Sequence, residues 1–156
     1  SAMALACNPH MIIADEPTTA LDVTIQAQVL DLMRNLRQKM GTAILMITHD
    51  LGVVAEICDK VAIMYAGRIV EAGTLEDIYD RTAHPYTKGL FGSLPDMDSK
   101  VHRLNPIKGL MPDPVKLPTG CAFNPRCDHA RPECRERMPQ PREITPGHIV
   151  SCLLYE

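Results

Sequence analysis

No Gly-x-x-x-x-Gly-Lys-Ser/Thr loop occurs anywhere in the 156 residues. Such a loop cradles phosphates with a row of backbone N–H groups and a lysine, and carboxylates do not replace it. The chain alone is therefore expected neither to hold a nucleoside triphosphate tightly nor to turn one over. A basic stripe is also missing: 16 Lys+Arg against 19 Asp+Glu leave a formal net charge of −3, which argues against nucleic acid as a partner. Apolar runs of bilayer length are absent, and the low-charge stretch Thr42 to Thr48 is far too short to span one. Close cysteine pairs, the usual spacing of structural zinc, are lacking as well.

What is present suits a globular α/β chain, with 46% apolar and 22% charged residues, enough for one ordinary core. Two apolar runs, Ile12-Ile13-Ala14 and Ile44-Leu45-Met46-Ile47, stop abruptly at Asp15-Glu16-Pro17 and Thr48-His49-Asp50. Buried strands of a parallel sheet read this way where they end at a ligand crevice. Between them, apolar residues at 25, 29, 32, 33, 36 and 40 predict one face of a helix over Val23 to Met40. Asp22 is placed to cap its start and Gly41 to close its end. Acids at one strand end beside a parallel neighbour suit magnesium and a phosphate ester.

The segment Met11-Ile12-Ile13-Ala14-Asp15-Glu16-Pro17-Thr18-Thr19-Ala20-Leu21-Asp22 resembles the Walker B strand and D-loop of ABC-type ATPases, and Ile47-Thr48-His49-Asp50 resembles their switch-histidine loop. The order, separation and intervening helix also match that family. The resemblance implies roles for four residues. Asp15 would hold the Mg²⁺ of MgATP, Glu16 would act as general base on the attacking water, and His49 would contact the γ-phosphate. Asp22 would lie in the loop that crosses to a partner ATPase domain. The family's Ser-Gly-Gly-Gln signature and the preceding glutamine loop are not found. Ala2 to Pro9 is expected to be the tail of the helix that follows that signature, with Ser1 a cloning or cleavage scar. The expected architecture is thus a partial P-loop NTPase domain with a parallel sheet.

Downstream, Asp50 to Cys58 reads as a helix capped by Asp50, and Val61 to Tyr65 with Arg68 to Ala72 as a hairpin around Ala66-Gly67. Thr74 begins another helix with Asp77 as an imperfect capping box. His84-Pro85-Tyr86-Thr87-Lys88-Gly89-Leu90 begins a short one, its proline well placed near the start.

Near residue 95 the composition changes, which suggests domains 1–94 and 95–156. Ten prolines from Pro95 to Pro146 forbid long regular elements, so the tail should be loop-rich and in need of a staple. Cys121, Cys127, Cys134 and Cys152 lie in this tail, whereas Cys7 and Cys58 read as small buried hydrophobes. Gaps of five, six and seventeen residues suit a cubane cluster, whose four irons need thiolates from separate directions, better than zinc; zinc, empty thiols and disulfides remain open.

Gly120-Cys121-Ala122-Phe123-Asn124-Pro125-Arg126-Cys127, then Cys134, Pro139 and His148-Ile149-Val150-Ser151-Cys152, resemble the C-terminal extension of dipeptide and oligopeptide importer ATPases. His84-Pro85-Tyr86-Thr87 resembles the segment just before it. This resemblance implies that the four cysteines ligate a [4Fe-4S] cluster and that Arg126 offers N–H groups to its sulfurs or pairs with an acid. His129 and His148 are spare potential ligands, each expected rather to be an exposed loop histidine. It further implies an ATP-hydrolysing motor subunit at the cytoplasmic face of a membrane, working with a second ATPase subunit and transmembrane permease subunits. Two other readings are a soluble ATPase of the DNA-repair kind and a self-standing iron–sulfur or zinc module. Because the Walker B strand lacks its usual neighbour here, an exposed apolar edge is expected to make the fragment self-associate.

Overall fold

The computed structural model describes residues 8–93 and 106–156. Strands β1 (Met11–Asp15) and β2 (Ala43–Ile47) pair in parallel, Met11 opposite Ala43 and Asp15 opposite Ile47. Helix α1 (Val23–Met40) crosses between them. Asp22 caps it by accepting the Ile25 N–H at 2.9 Å. Gly41 closes it in the left-handed region, φ +64°, donating its N–H to the Arg37 carbonyl. Arg37 and Lys39 in the last turn complement the helix dipole. Helix α2 (Leu51–Ile57) begins at Asp50, whose carboxylate accepts the N–H groups of Gly52 and Val53.

Leu30, Met33 and Val53 form the core of this unit, with Ala14, Val29, Ile44, Met46 and Ile57 packed on them. The buried stripe of α1 matches its apolar spacing in part: Met33 is buried and Val29 packs on the core, but Leu30 is also buried while Ile25, Leu32 and Met40 are exposed. The two helices cover one face of the strand pair. Its other face leaves Met11, Ile13, Leu45 and Ile47 half to two-thirds exposed. Parallel strands are normally covered on both faces, so this surface is unusually apolar.

A second unit begins at Asp59. Strands β3 (Lys60–Tyr65) and β4 (Arg68–Thr74) form an antiparallel hairpin whose turn residues, Ala66 and Gly67, both have positive φ. Helix α3 (Leu75–Tyr79) starts from a complete capping box between Thr74 and Asp77, and α4 (Pro85–Gly92) is capped by His84 with proline at its first position. The tail supplies 3₁₀ turns at Asn124–Arg126 and Leu153–Tyr155, helix α5 (Glu133–Glu136), and strands β5 (Arg142–Thr145) and β6 (His148–Val150). No tail element among the described residues exceeds four residues, as the proline density requires.

The prolines do not, however, detach the tail. Strand β6 pairs with β4, giving an antiparallel sheet of order β3-β4-β6-β5. Ala122 and Phe123 enter the same core as Ile63, Tyr65, Val70 and Ile78. Tyr65, Tyr86 and Phe123 stack at centroid distances of 4.6 to 5.4 Å, contacts each adding about 1 kcal/mol beyond area burial. Units therefore divide between Cys58 and Asp59, whereas the compositional break at residues 94 and 95 touches residues outside those described. Most of Ala2 to Pro9, with Cys7 and Ser1, also lies outside them, as does Pro95. Cys58 is half-buried. Among the described residues, no helix is long and apolar enough to cross a membrane.

Candidate functional site

The first site sits where the two parallel strands end. Asp15 is the last residue of β1, and the Glu16 N–H donates to the Ile47 carbonyl at 2.8 Å, tying the turn to the end of β2. Glu16 takes φ +47°, a left-handed conformation uncommon outside glycine, and so departs sharply from the strand. Its carboxylate meets His49 Nδ1 at 2.9 Å and accepts the Thr19 hydroxyl. The Thr19 hydroxyl and then His49 hold the Glu16 carboxyl below the usual carboxylate range, while Glu16 raises the His49 imidazole. An ionised carboxylate fixed beside a histidine can orient a water or take its proton. The spacing thus brings Asp15, Glu16 and His49 to one rim, while Asp22 is engaged as the α1 cap. Thr19 belongs to this arrangement without having been singled out; its position three residues after Glu16 in a turn was the available signal.

The second site is a cavity in the tail unit, lined by Cys121, Cys127, Cys134 and Cys152 together with His84 and Phe123. All four cysteines are free thiols. Gly120 makes the close approach possible: at φ +70°, it has no side chain to strike the Cys134 carbonyl, and the next N–H, that of Cys121, donates to that carbonyl at 2.8 Å. Cys134 Sγ accepts the Arg131 N–H at 3.4 Å. Burial, augmented by the neighbouring thiols, pushes the Cys121 and Cys127 thiols up and the Cys152 thiol to about 11. Without a cation these groups are neutral, and a metal would have to draw the protons off. Among the described residues, no group of three or more His, Cys, Asp or Glu side chains is arranged to hold a metal ion. The four cysteines reach this one cavity from separate segments of the tail, and cysteine side chains are a donor set that a thiolate-ligated group requires.

His84 forms a wall of this cavity, 1% exposed. Its Nδ1 accepts the Tyr86 N–H at 3.0 Å, and its Nε2 is buried with no hydrogen-bond partner. Burial lowers its pKa to about 4, so the ring is neutral near pH 7. The fully buried Glu71 carboxylate accepts the backbone N–H groups of Ala83 and His84, at 2.7 and 3.0 Å, and meets His148 Nε2 at 2.9 Å. His148 is therefore a buried partner of a buried acid, not an exposed loop residue. It stands inside because β6 joins β4 across from Glu71. His129 is exposed at the cavity's edge.

Among the described residues, Arg126 neither pairs with an acid nor lines this cavity. It donates to the Ile107 and Lys108 carbonyls and to the Tyr65 hydroxyl, pinning the preceding segment to the hairpin. Its planar fork is consumed by carbonyls that an irregular, proline-rich backbone leaves unpaired.

Residues 70–134 match the family described as "Oligopeptide/dipeptide transporter, C-terminal region". Over 155 residues the chain is 54% identical to the "Oligopeptide transport ATP-binding protein AppD" of Bacillus subtilis (strain 168), covering 99% of this chain and 47% of that protein. It is 50% identical over 151 residues to the "Oligopeptide transport ATP-binding protein OppD" of Escherichia coli (strain K12), covering 97% of this chain and 44% of that protein. The "Probable peptide ABC transporter ATP-binding protein y4tR" of Sinorhizobium fredii is 54% identical over 152 residues, or 97% of this chain and 45% of that protein. The chain spans about half the length of the curated relatives it matches.

Proposed function

We propose, from the premise that this chain carries the C-terminal region of an oligopeptide/dipeptide transport ATP-binding subunit, that it forms the water-activating half of an ATPase site. The observation that carries this reading is the Glu16–His49 pair at 2.9 Å, held at the ends of two adjacent parallel strands. In the whole subunit Asp15 would bind the Mg²⁺ of MgATP, Glu16 would take the proton of the attacking water, and His49 would contact the γ-phosphate. Thr19 and His49 keep Glu16 ionised and aimed. Asp22, capping α1, would present the preceding loop to a second ATPase subunit. The phosphate cradle is not among these 156 residues, and in the whole subunit such a cradle would complete the site. Coupling to transmembrane permease subunits at the cytoplasmic face of a membrane, with di- or oligopeptides as cargo, completes the proposal. The relatives' names favour this reading over a DNA-repair ATPase or a self-standing module.

The functional division proposed is an ATPase half, 1–94, and a transporter-specific extension, 95–156. In the extension, Cys121, Cys127, Cys134 and Cys152 would hold a [4Fe-4S] cluster, a reading supported by the four cysteines lining one cavity. When bound, such a group supplies one-electron chemistry and a cross-link between distant segments. The apolar face of Met11, Ile13, Leu45 and Ile47 supports self-association of the isolated chain.

The test joins this chain to the N-terminal half of the Bacillus subtilis relative. Glu16→Gln in that chimera should abolish phosphate release while ATP binding persists. Undiminished phosphate release would overturn the assignment.

A further inference from the structure

The buried Nε2 of His84 is a donor without an acceptor. A backbone N–H can only donate, so the 3.0 Å contact from Tyr86 fixes Nδ1 as the acceptor end of the ring. The neutral imidazole then carries its proton on Nε2. That N–H has no partner among the described residues, although a buried donor left unpaired costs about 1–3 kcal/mol. The ring is not free to swing towards another acceptor. Its backbone N–H is held by Glu71 at 3.0 Å, its Nδ1 caps α4, and its ring centre lies 6.0 Å from that of Phe123.

His84 lines the same cavity as the four cysteines. Of the other polar side chains on the lining, the Asn124 amide is already spent on the Thr119 and Cys121 carbonyls, and His129 is exposed at the edge. Phe123, Leu153 and Leu154 offer no polar atoms from their side chains. Any metal-bearing guest held by four thiolates presents electron-rich sulfur to this wall, and sulfur accepts N–H hydrogen bonds.

We propose that His84 is a positioning residue for the cysteine-held group, its Nε2–H donating a hydrogen bond to one of that group's sulfur atoms. The inference rests on the reading that the four cysteines hold an iron–sulfur cluster. It adds a fifth residue to the site, the N-cap of α4, from outside the cysteine segment. A donor aimed at sulfur stabilises the electron-rich, reduced form, so His84 sets the potential as well as the seating of the group.

Two substitutions separate the ends of the ring. In His84→Asn the side-chain oxygen stands near Nδ1 and can keep the cap, but nothing reaches the Nε2 position. In His84→Gln the amide NH₂ stands near Nε2 and can restore the donor. The full chain would be purified anaerobically and reconstituted with ferrous iron and sulfide, with iron content, absorption spectrum and midpoint potential as readouts. The wild-type chain should load, and His84→Asn should load but become harder to reduce. The expected effect is about tenfold in the reduced-to-oxidised ratio, or about 59 mV for a one-electron couple. His84→Gln should recover most of the shift.

A wild-type chain that takes up no iron overturns the cluster reading itself, and this inference with it. A loaded His84→Asn chain with the wild-type potential overturns the inference alone and means that solvent satisfies Nε2–H. Should His84→Asn not fold, electron–nuclear double resonance on the reduced wild-type chain carrying ¹⁵N-histidine decides the matter. A ¹⁵N coupling with an exchangeable proton supports the hydrogen bond, and its absence refutes it.

Discussion

Gly120→Ala should disable the cysteine cavity while leaving the fold of the parallel-strand unit intact. A Cβ at Gly120 would lie 2.3 Å from the Cys134 carbonyl oxygen and 2.8 Å from the Arg135 carbonyl carbon. Real Cβ contacts are not seen below 3.0 Å, so the Cys134 backbone would have to retreat by roughly 0.7 Å, from 2.3 to 3.0 Å. The retreat strikes backbone rather than a yielding side-chain tip, and overpacking of this kind costs about 1–3 kcal/mol. The Cys121 N–H bond to the same carbonyl would be lost, about 1 kcal/mol more. The left-handed φ of +70° adds about 1 kcal/mol for any residue with a Cβ. Together these amount to about 3–5 kcal/mol. Gly147→Ala is the control: φ is +81° but nothing lies within 4 Å, so only the conformational cost of about 1 kcal/mol applies. Equilibrium urea unfolding, read by thiol labelling at Cys121 and Cys134, measures both variants. A Gly120→Ala chain no less stable than Gly147→Ala would refute the steric reasoning.

Other perturbations reach other parts of the molecule. Glu71→Ala should cost about 3–5 kcal/mol in urea unfolding, because it strands His148 and the Ala83 and His84 N–H groups in the interior. Asp77, held at a pKa of about 2 by the Thr74 hydroxyl and N–H and by Arg81, stabilises the folded state fully above the ordinary value of 3.8. That contribution should fade as pH falls from about 4 towards 2, and melting curves of Asp77→Asn should lose this acid limb. Replacing Ile13 and Leu45 by glutamate places charge on the open face of β1 and β2, and light scattering should then report a lower mass than for the unaltered chain. An unchanged mass means that another surface holds the copies together.

Much of the parallel-strand unit is legible because its signals are local. Asp22, Gly41 and Asp50 each act within one turn of their own position, and the two apolar runs end where the strands end. The buried stripe of α1 is less legible: its apolar residues outnumber those the core can accept, and only packing selects Leu30 over Ile25 and Leu32. The tail reads correctly as short elements, since proline acts residue by residue. Its attachment does not, because a three-residue strand such as His148–Val150 has no periodicity long enough to announce a partner. His148 looks like a loop histidine until β4 brings Glu71 to it. Arg126 likewise has carbonyl partners that no spacing rule names. For the candidate site, chemistry-bearing residue types pointed to the Glu16–His49 rim and the four thiols, Thr19 left only its spacing from Glu16 as a signal, and the cavity-facing role of His84 emerges only from geometry.

The walls of the cysteine cavity come from His84, from the stretch between Cys121 and Cys134, and from Cys152 with its neighbours. During synthesis three of its thiols are added to the chain before the fourth exists. A nascent chain therefore cannot assemble the complete pocket, and it passes through an interval in which cysteines are present but their enclosure is not. Contacts so far apart in sequence form late in folding. A filled pocket would consequently mark a chain whose sheet has closed, distinguishing finished molecules from arrested ones by their contents rather than their length.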